Sequence, residues 1–87
     1  MHRPADGLSV TTCERLDVAA ALGARETWID REELGLAEPS PLGRWVCVLE
    51  FPGFPLQAVG SSGDGPGVEQ AALEALERLD LLMSLVA

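Results

Sequence analysis

The last third of the chain has the most regular hydrophobic pattern. Apolar residues recur there at spacings of three or four, which place them on one face of a helix. These residues are Val68, Ala72, Leu76, Leu79, Met83 and Val86. Pro66 suits the first turn of a helix, and Glu74 and Arg78 have the spacing of a surface ion pair one turn apart. The pattern predicts a helix from Pro66 to the end of the sequence.

An alternating pattern with the period of a strand occurs in the middle of the chain, in "RWVCVLEF", residues 44–51. The alternation predicts one face formed by Trp45, Cys47, Leu49 and Phe51, and an opposite face formed by Val46, Val48 and Glu50. Pro52 and Gly53 then occupy the central positions of a predicted type II turn. The following "PLQAVG" predicts a short third strand, and its initial proline suits the edge of a sheet.

The stretch "ETWIDREEL", residues 26–34, predicts the first strand, although its alternation is poor. We expect Ile29 to point inward and Trp28, Asp30 and Glu32 to lie on the outer face. A shift of one residue reverses both faces of a strand. The alternative is therefore that Trp28 belongs to the core. A loop follows in "GLAEPSPLGR", which contains two prolines and two glycines.

The N-terminal part of the chain predicts a further helix. Thr11 and Glu14 have the spacing of a capping box, and Gly23 is a residue that ends helices. We expect this helix over residues 12–22, with a core-facing side formed by Leu16, Ala19, Ala20 and Leu22. Residues 1–10 are expected to form a flexible arm and residues 11–87 one domain. The order α-β-β-β-α predicts an α+β fold, with a three-stranded antiparallel sheet and both helices on one face.

The charge balance argues against nucleic acids and anionic membranes as partners. The sequence contains 14 aspartates and glutamates against six arginines and no lysine, which gives a formal net charge of −8. Phosphates and anionic lipids are bound by clusters of cations. The arginines of this chain are scattered singly, so neither partner is expected.

The residue types that carry catalytic or metal chemistry are sparse. Cys13 and Cys47 do not have the spacing of metal ligands, and the single histidine is His2. We expect two reduced thiols, no metal, no cofactor, no small-molecule substrate and no enzymatic activity. No apolar run reaches the ~20 residues of a membrane span, and residues 1–7 lack the pattern of a secretory signal. The expected location is therefore intracellular, in the cytoplasm.

The predicted element order, with "GSS" after the third strand and "AALEAL" in the last helix, resembles the double-stranded RNA-binding domain. Three further pieces, "WIDREELGL", "WVCVLEF" and "EALERLDLLM", are similar to the third such domain of the proteins that accompany Dicer. That branch of the family holds proteins together instead of binding RNA. The resemblance implies a dimer, a complex with a larger RNA-processing enzyme such as a Dicer-type nuclease, or both.

Three regions that bind RNA in the family differ in this chain. Residues 63–68, where the family has a lysine cluster, contain Asp64 and no cation. The loop before the second strand has Arg44 as its only basic residue, and the first helix offers Glu14 alone. Duplex RNA is therefore not expected to bind on this surface. If the domain did bind RNA, weakly or in a non-standard way, Glu14 and Arg44 would be its candidate contacts.

The candidate interaction surface is the outer face of the sheet, together with the edge of the third strand. We expect Trp28, Val46 and Val48 to share this face, and an exposed tryptophan beside β-branched residues is typical of a partner site. Leu56 and Ala58 lie on the edge strand, which is open to strand addition. The runner-up function is weak or non-standard RNA binding, and the third is an acidic mimic of nucleic acid.

Overall fold

A computed structural model describes residues 3–4, 7–31, 44–55, 57–61 and 67–86. Its elements are α1 Val10–Ala21, β1 Arg25–Asp30, β2 Trp45–Glu50, β3 Gln57–Ser61 and α2 Val68–Val86. The three strands form an antiparallel sheet in the order β1-β2-β3. The predicted α-β-β-β-α fold is confirmed. The core lies between the helices and one face of the sheet.

The faces of β2 agree with the sequence pattern. Cys47 and Leu49 are buried, and Trp45 and Phe51 pack against the core from the two ends of the strand. The turn after β2 is also confirmed. The Phe54 amide donates to the Phe51 carbonyl oxygen at 2.9 Å, and φ at Gly53 is +88°, as the third position of a type II turn requires.

The predicted face of Trp28 is wrong, and the alternative that placed it in the core is correct. Trp28 is the direct partner of Cys47 across β1 and β2, so both side chains point to the same side of the sheet. That side is the core, where Trp28 is only 1% exposed. Its indole nitrogen donates to Oε2 of Glu26 at 2.6 Å. The indole therefore buries its apolar surface without leaving its N–H unpaired. Ile29 accordingly lies on the outer face.

Helix α1 begins earlier than the capping-box pattern predicts. Its N-cap is Ser9, whose hydroxyl oxygen accepts from the Thr12 amide at 3.1 Å. The predicted cap at Thr11 is therefore wrong, because Thr11 already lies within the helix. The predicted end is confirmed: Gly23 has φ of +105°. The Gly23 amide donates to the carbonyl oxygen of Ala20, and the Ala24 amide donates to the carbonyl oxygen of Ala19. These two hydrogen bonds form a Schellman motif.

The predicted core-facing sides of the two helices are confirmed in part. In α1, Leu16 and Ala19 are buried, but Ala20 and Leu22 are exposed. In α2 the buried residues include Val68, Ala72, Leu76 and Leu79, whereas Met83 is 39% exposed. The predicted start of α2 at Pro66 lies outside the described residues. The ion pair between Glu74 and Arg78 forms as expected, at 2.9 Å.

Helix α2 approaches the sheet most closely at Gly60. A methyl group on Gly60 would overlap the carbonyl oxygen of Ala71 and the amide nitrogen of Ala75, and would lie 3.0 Å from the Ala75 Cα. Ala71 and Ala75 are completely buried at this contact. Because the obstructing atoms belong to the backbone, no side-chain rotation can make room for a larger residue.

We predict that Gly60→Ala destabilises the domain by about 1–3 kcal/mol, the usual cost of overpacking a filled core. Ser61→Ala is the matched control, because it adds nothing at the contact with α2 and should change the free energy of unfolding by less than about 0.5 kcal/mol. Urea unfolding of the two variants measures both values. A Gly60→Ala variant as stable as wild type would contradict the close packing of α2 on β3.

Candidate interaction surfaces

The outer face of the sheet carries two adjoining rows of uncharged residues. Thr27, Val48 and Val59 are paired across the three strands, and Ile29, Val46 and Ser61 form the next row. We call the set of these six residues the outer sheet patch. Five of them are half-buried, and Val46 is 8% exposed. Four of the six, Ile29, Val46, Val48 and Val59, are apolar and β-branched, and such side chains pack against one another when they are paired across neighbouring strands.

A polar row borders the outer sheet patch at one end. Arg25, Glu50 and Gln57 are aligned across the three strands. The Gln57 amide donates to Glu50 at 2.8 Å, and the Arg25 guanidinium lies 4.0 Å from the same carboxylate. An apolar centre with a polar boundary is the arrangement found at protein–protein interfaces.

The structure separates the five residues predicted for the interface. Val46 and Val48 point to the outer face of the sheet, as expected, but Val46 is already buried within the chain, with 8% of its surface exposed. The prediction for Trp28 is wrong, because its side chain faces the core and is 1% exposed. The side chain of Ala58 is also 1% exposed, so only its backbone is available for the predicted strand addition. Ala58 is paired with Leu49, so the alternation of β3 sends its methyl group inward. Leu56 lies outside the described residues.

Four patch residues, Thr27, Ile29, Val59 and Ser61, are missing from the sequence-based interface. The sequence pattern inverts the face of β1 and so predicts that Ile29 points to the core. Val59 lies between Ala58 and Gly60 in β3. Because side chains alternate along a strand and Ala58 points inward, Val59 points to the outer face. The signal that identifies them is the register of the sheet, which the local alternation of β1 is too weak to fix.

The edge of β3 is less open than its position in the sheet suggests. The Arg78 guanidinium of α2 donates to the carbonyl oxygen of Val59. This backbone acceptor of β3 therefore has a partner within the chain. Charged side chains that cover an edge strand disfavour the addition of another strand. The face of the sheet is consequently the stronger candidate surface.

The two candidate RNA contacts lie in different environments. Glu14 is exposed on α1. Arg44 makes two hydrogen bonds of 2.9 Å with the Asp30 carboxylate, and its guanidinium carbon lies 5.1 Å from the centre of the Trp45 ring. A phosphate would have to compete with Asp30 for the same guanidinium.

Most of the arginines are held by carboxylates of the domain. Arg3, Arg15, Arg25, Arg44 and Arg78 each lie within 4.0 Å of a carboxylate oxygen. Several of these pairs are exposed, so each contributes little to stability. Their combined effect is on the electrostatic potential, since paired cations offer little net positive charge to a phosphate backbone.

The most extensive of these pairs joins the N-terminal segment to the domain. Arg3 donates to both carboxylate oxygens of Glu26, at 2.8 and 2.9 Å, and to Asp17 at 2.7 Å. The hydrogen bond to Glu26 is the main reason that the pKa of Arg3 is raised above its ordinary value. Glu26 also accepts the indole proton of Trp28. One half-buried carboxylate thus connects the N-terminal segment with the core.

The N-termini of the two helices are joined through Glu69. Its carboxylate accepts from the Ser9 amide at 2.9 Å and from the Thr12 hydroxyl at 2.7 Å. The Ser9 amide contributes most to lowering the pKa of Glu69, followed by the Thr12 hydroxyl. This carboxylate belongs to the chain and occupies the position at which a helix N-terminus attracts an anion.

The two thiols show no arrangement for metal binding. Cys47 is fully buried, and burial raises its pKa to about 12, so it remains a protonated thiol at neutral pH. Cys13 is half-buried on α1. Among the residues that the structure describes, no group of three or more histidines, cysteines or carboxylates could hold a metal ion.

The chain was compared with models of known families, with curated proteins and with solved structures, and none of them matches it. The relation to double-stranded RNA-binding domains therefore stays a prediction that rests on short motifs. Within the described part of the chain, neither helix combines the length and the apolar character needed to cross a membrane.

We predict that Glu69→Gln destabilises the domain at neutral pH, and that the loss disappears in acid. A carboxyl group whose pKa is lowered by folding stabilises the native state above its unfolded pKa, which is about 4.3. That stabilisation is lost as the pH falls through the lower, folded pKa. Glutamine keeps an acceptor oxygen but no charge, so the stabilities of wild type and variant should converge once the pH lies below the folded pKa of Glu69.

Thermal unfolding between neutral and acidic pH measures this difference. Glu77→Gln, an exposed position on the same helix, is the matched control and should show little change across the range. A destabilisation by Glu69→Gln that stays constant down to strongly acidic pH would show that the charge of Glu69 is not responsible.

Proposed function

We propose that the chain is a non-catalytic protein–protein interaction module of the double-stranded RNA-binding type. It forms a homodimer, docks to a larger RNA-processing enzyme such as a Dicer-type nuclease, or does both. The observation that carries the proposal is the outer sheet patch, a group of uncharged residues in register across all three strands. The short motifs of the Dicer-partner branch support the same function.

A two-fold dimer suits the composition of this patch. In such a dimer the same surface meets its own copy, so each apolar side chain is buried twice. Burial contributes about 25 cal/mol of favourable free energy for each Å² of apolar surface removed from water. The entropic cost of association must be subtracted from this sum. The patch has no charge in its two central rows, so this burial desolvates no ionised group there.

The alternative functions have weaker support. Binding of duplex RNA needs unpaired cations, but Arg44 is held by Asp30 and the lysine cluster of the family is missing from the sequence. An acidic mimic of nucleic acid needs its carboxylates in rows on one surface. Here Asp17, Asp30 and Glu69 lie on three different elements or their ends, and each is paired within the domain.

We predict that Val48→Asp weakens the dimer, or the complex with the partner enzyme, by a factor of at least about 100 while the domain stays folded. The factor reflects the cost of desolvating an unpaired carboxylate at a packed surface. Analytical ultracentrifugation over a range of concentrations measures self-association, and titration with a Dicer-type nuclease measures docking. Circular dichroism confirms that the variant is folded.

Val18→Asp is the matched control for the sheet face. It introduces the same charge at a valine that is 61% exposed on α1, on the other side of the domain. This variant should self-associate as wild type does. The proposal fails if wild type is monomeric at high concentration and Val48→Asp binds the partner enzyme as tightly as wild type.

Duplex RNA should show no measurable binding near physiological salt. Each phosphate contact contributes a salt-dependent part of the affinity, and the missing lysine cluster removes several such contacts together. Titration of a labelled RNA duplex at two salt concentrations tests this. A micromolar complex whose affinity falls steeply with salt would establish the RNA-binding alternative instead.

A further inference from the structure

A groove of about 370 Å³ lies between α1 and the C-terminal half of α2. Ala19, Leu76 and Leu79 line it and are buried in the core. Phe51, at the end of β2, contributes a further apolar side chain. The groove is on the helical side of the domain, so it is separate from the outer sheet patch.

The walls of the groove are apolar and exposed. Val18 and Leu22 follow one another by one helical turn on α1, and they are 61% and 62% exposed. Met83 contributes from α2 with 39% exposure. These side chains expose apolar surface to water in the isolated domain. A partner that covered them would remove this surface from water, which is favourable. A methionine also lets such a surface adapt to its ligand.

The rim of the groove is acidic. Glu14 on α1 and Asp80 on α2 are both exposed, and the single cation at the rim is Arg15, which lies 3.7 Å from Asp80. The groove lining therefore has a net charge of −1, from two carboxylates and one guanidinium. The whole chain has a net charge of −8, so the surrounding field also favours a cationic ligand.

Two other occupants fit these features less well. A second copy of the chain would bring another charge of −8 to an acidic rim, and a two-fold contact would place like carboxylates together. A small molecule needs polar groups inside its pocket to orient it. The polar side chains of this lining, Thr11, Glu14, Arg15 and Asp80, are all exposed.

We propose that the groove binds a basic amphipathic helix of another protein. Leucine-like residues spaced by three or four would fill the space between α1 and α2, and lysines or arginines beside them would meet Glu14 and Asp80. This proposal does not rest on the dimer that the outer sheet patch is proposed to form, because the two surfaces share no residue.

The test uses a synthetic peptide of about 18 residues, long enough to form a helix in water, with leucines on one face and lysines on the other. Its binding to the full chain is followed by fluorescence anisotropy at two salt concentrations. A peptide of the same composition, with its leucines distributed around the helix, controls for binding by charge alone. The amphipathic peptide should bind at least about tenfold more tightly than this control.

Two variants locate the binding site. Val18→Asp should weaken peptide binding about tenfold or more, whereas Val48→Asp on the sheet should leave it unchanged.

A reversal of the rim charges, Glu14→Lys with Asp80→Lys, should weaken binding and remove most of its dependence on salt. All these positions are exposed or half-buried, and circular dichroism shows whether each variant is folded.

Equal binding of the two peptides, or an unchanged affinity of Val18→Asp, would overturn the proposal. A change in the solution mass of the free chain on Val18→Asp would also overturn it, because the occupant would then be a second copy. Failure of the sheet-face proposal appears in a different measurement, the oligomeric state of Val48→Asp. The two proposals can therefore fail independently.

Discussion

The close approach of α2 to β3 determines the thickness of the core. Because Gly60 has no side chain and Ala71 and Ala75 have only methyl groups, the helix backbone lies directly on the strand. This part of the core has no room for a large residue. The larger buried side chains, Trp28, Leu16 and Leu49, come from α1 and from the strands farther from this contact. The tryptophan accordingly lies on β1, two strands away from the contact between α2 and β3.

Helix α1 is attached to this framework by polar contacts as much as by packing. Leu16 and Ala19 are its buried apolar residues, while Val10, Val18 and Leu22 are exposed. Glu69 accepts hydrogen bonds from the start of the helix, and Asp17 pairs with Arg3. Carboxylates that appear in the sequence as a simple excess of charge therefore have structural partners. Asp17 and Asp30 also neutralise Arg3 and Arg44, which are cations of the kind that RNA binding requires.

The elements predicted well from the sequence are those whose pattern is long and local. The pattern of α2 has six apolar positions on one face, and the alternating pattern that contains β2 extends over seven residues, 45–51. One atypical residue does not change either assignment. The face of β1 depends on one residue of register, which only its pairing with Cys47 fixes. At the start of α1, the Ser9 amide donates to Glu69, which is 60 residues away. Neither of these contacts is visible in a local pattern.

The same distinction applies to the candidate surfaces. Val46 and Val48 could be assigned to the outer face because they alternate with core residues of a strongly patterned strand. The spacing of Leu22 along the first helix predicts a core position, but Leu22 is 62% exposed and borders the groove. Spacing identifies an apolar face of a helix, but it does not show whether another element of the same chain covers that face.

The two proposed surfaces lie on opposite sides of the domain, with the core and the sheet between them. Val48 points away from the helices, whereas Val18, Leu22 and Met83 border the groove on the helical layer. A dimer formed through the sheet would therefore leave both grooves accessible. Two identical sites in one dimer can bind a partner with two basic helices far more tightly than one site can, because the second contact is intramolecular. Self-association through the sheet and recognition through the groove would then strengthen each other without any change in the fold.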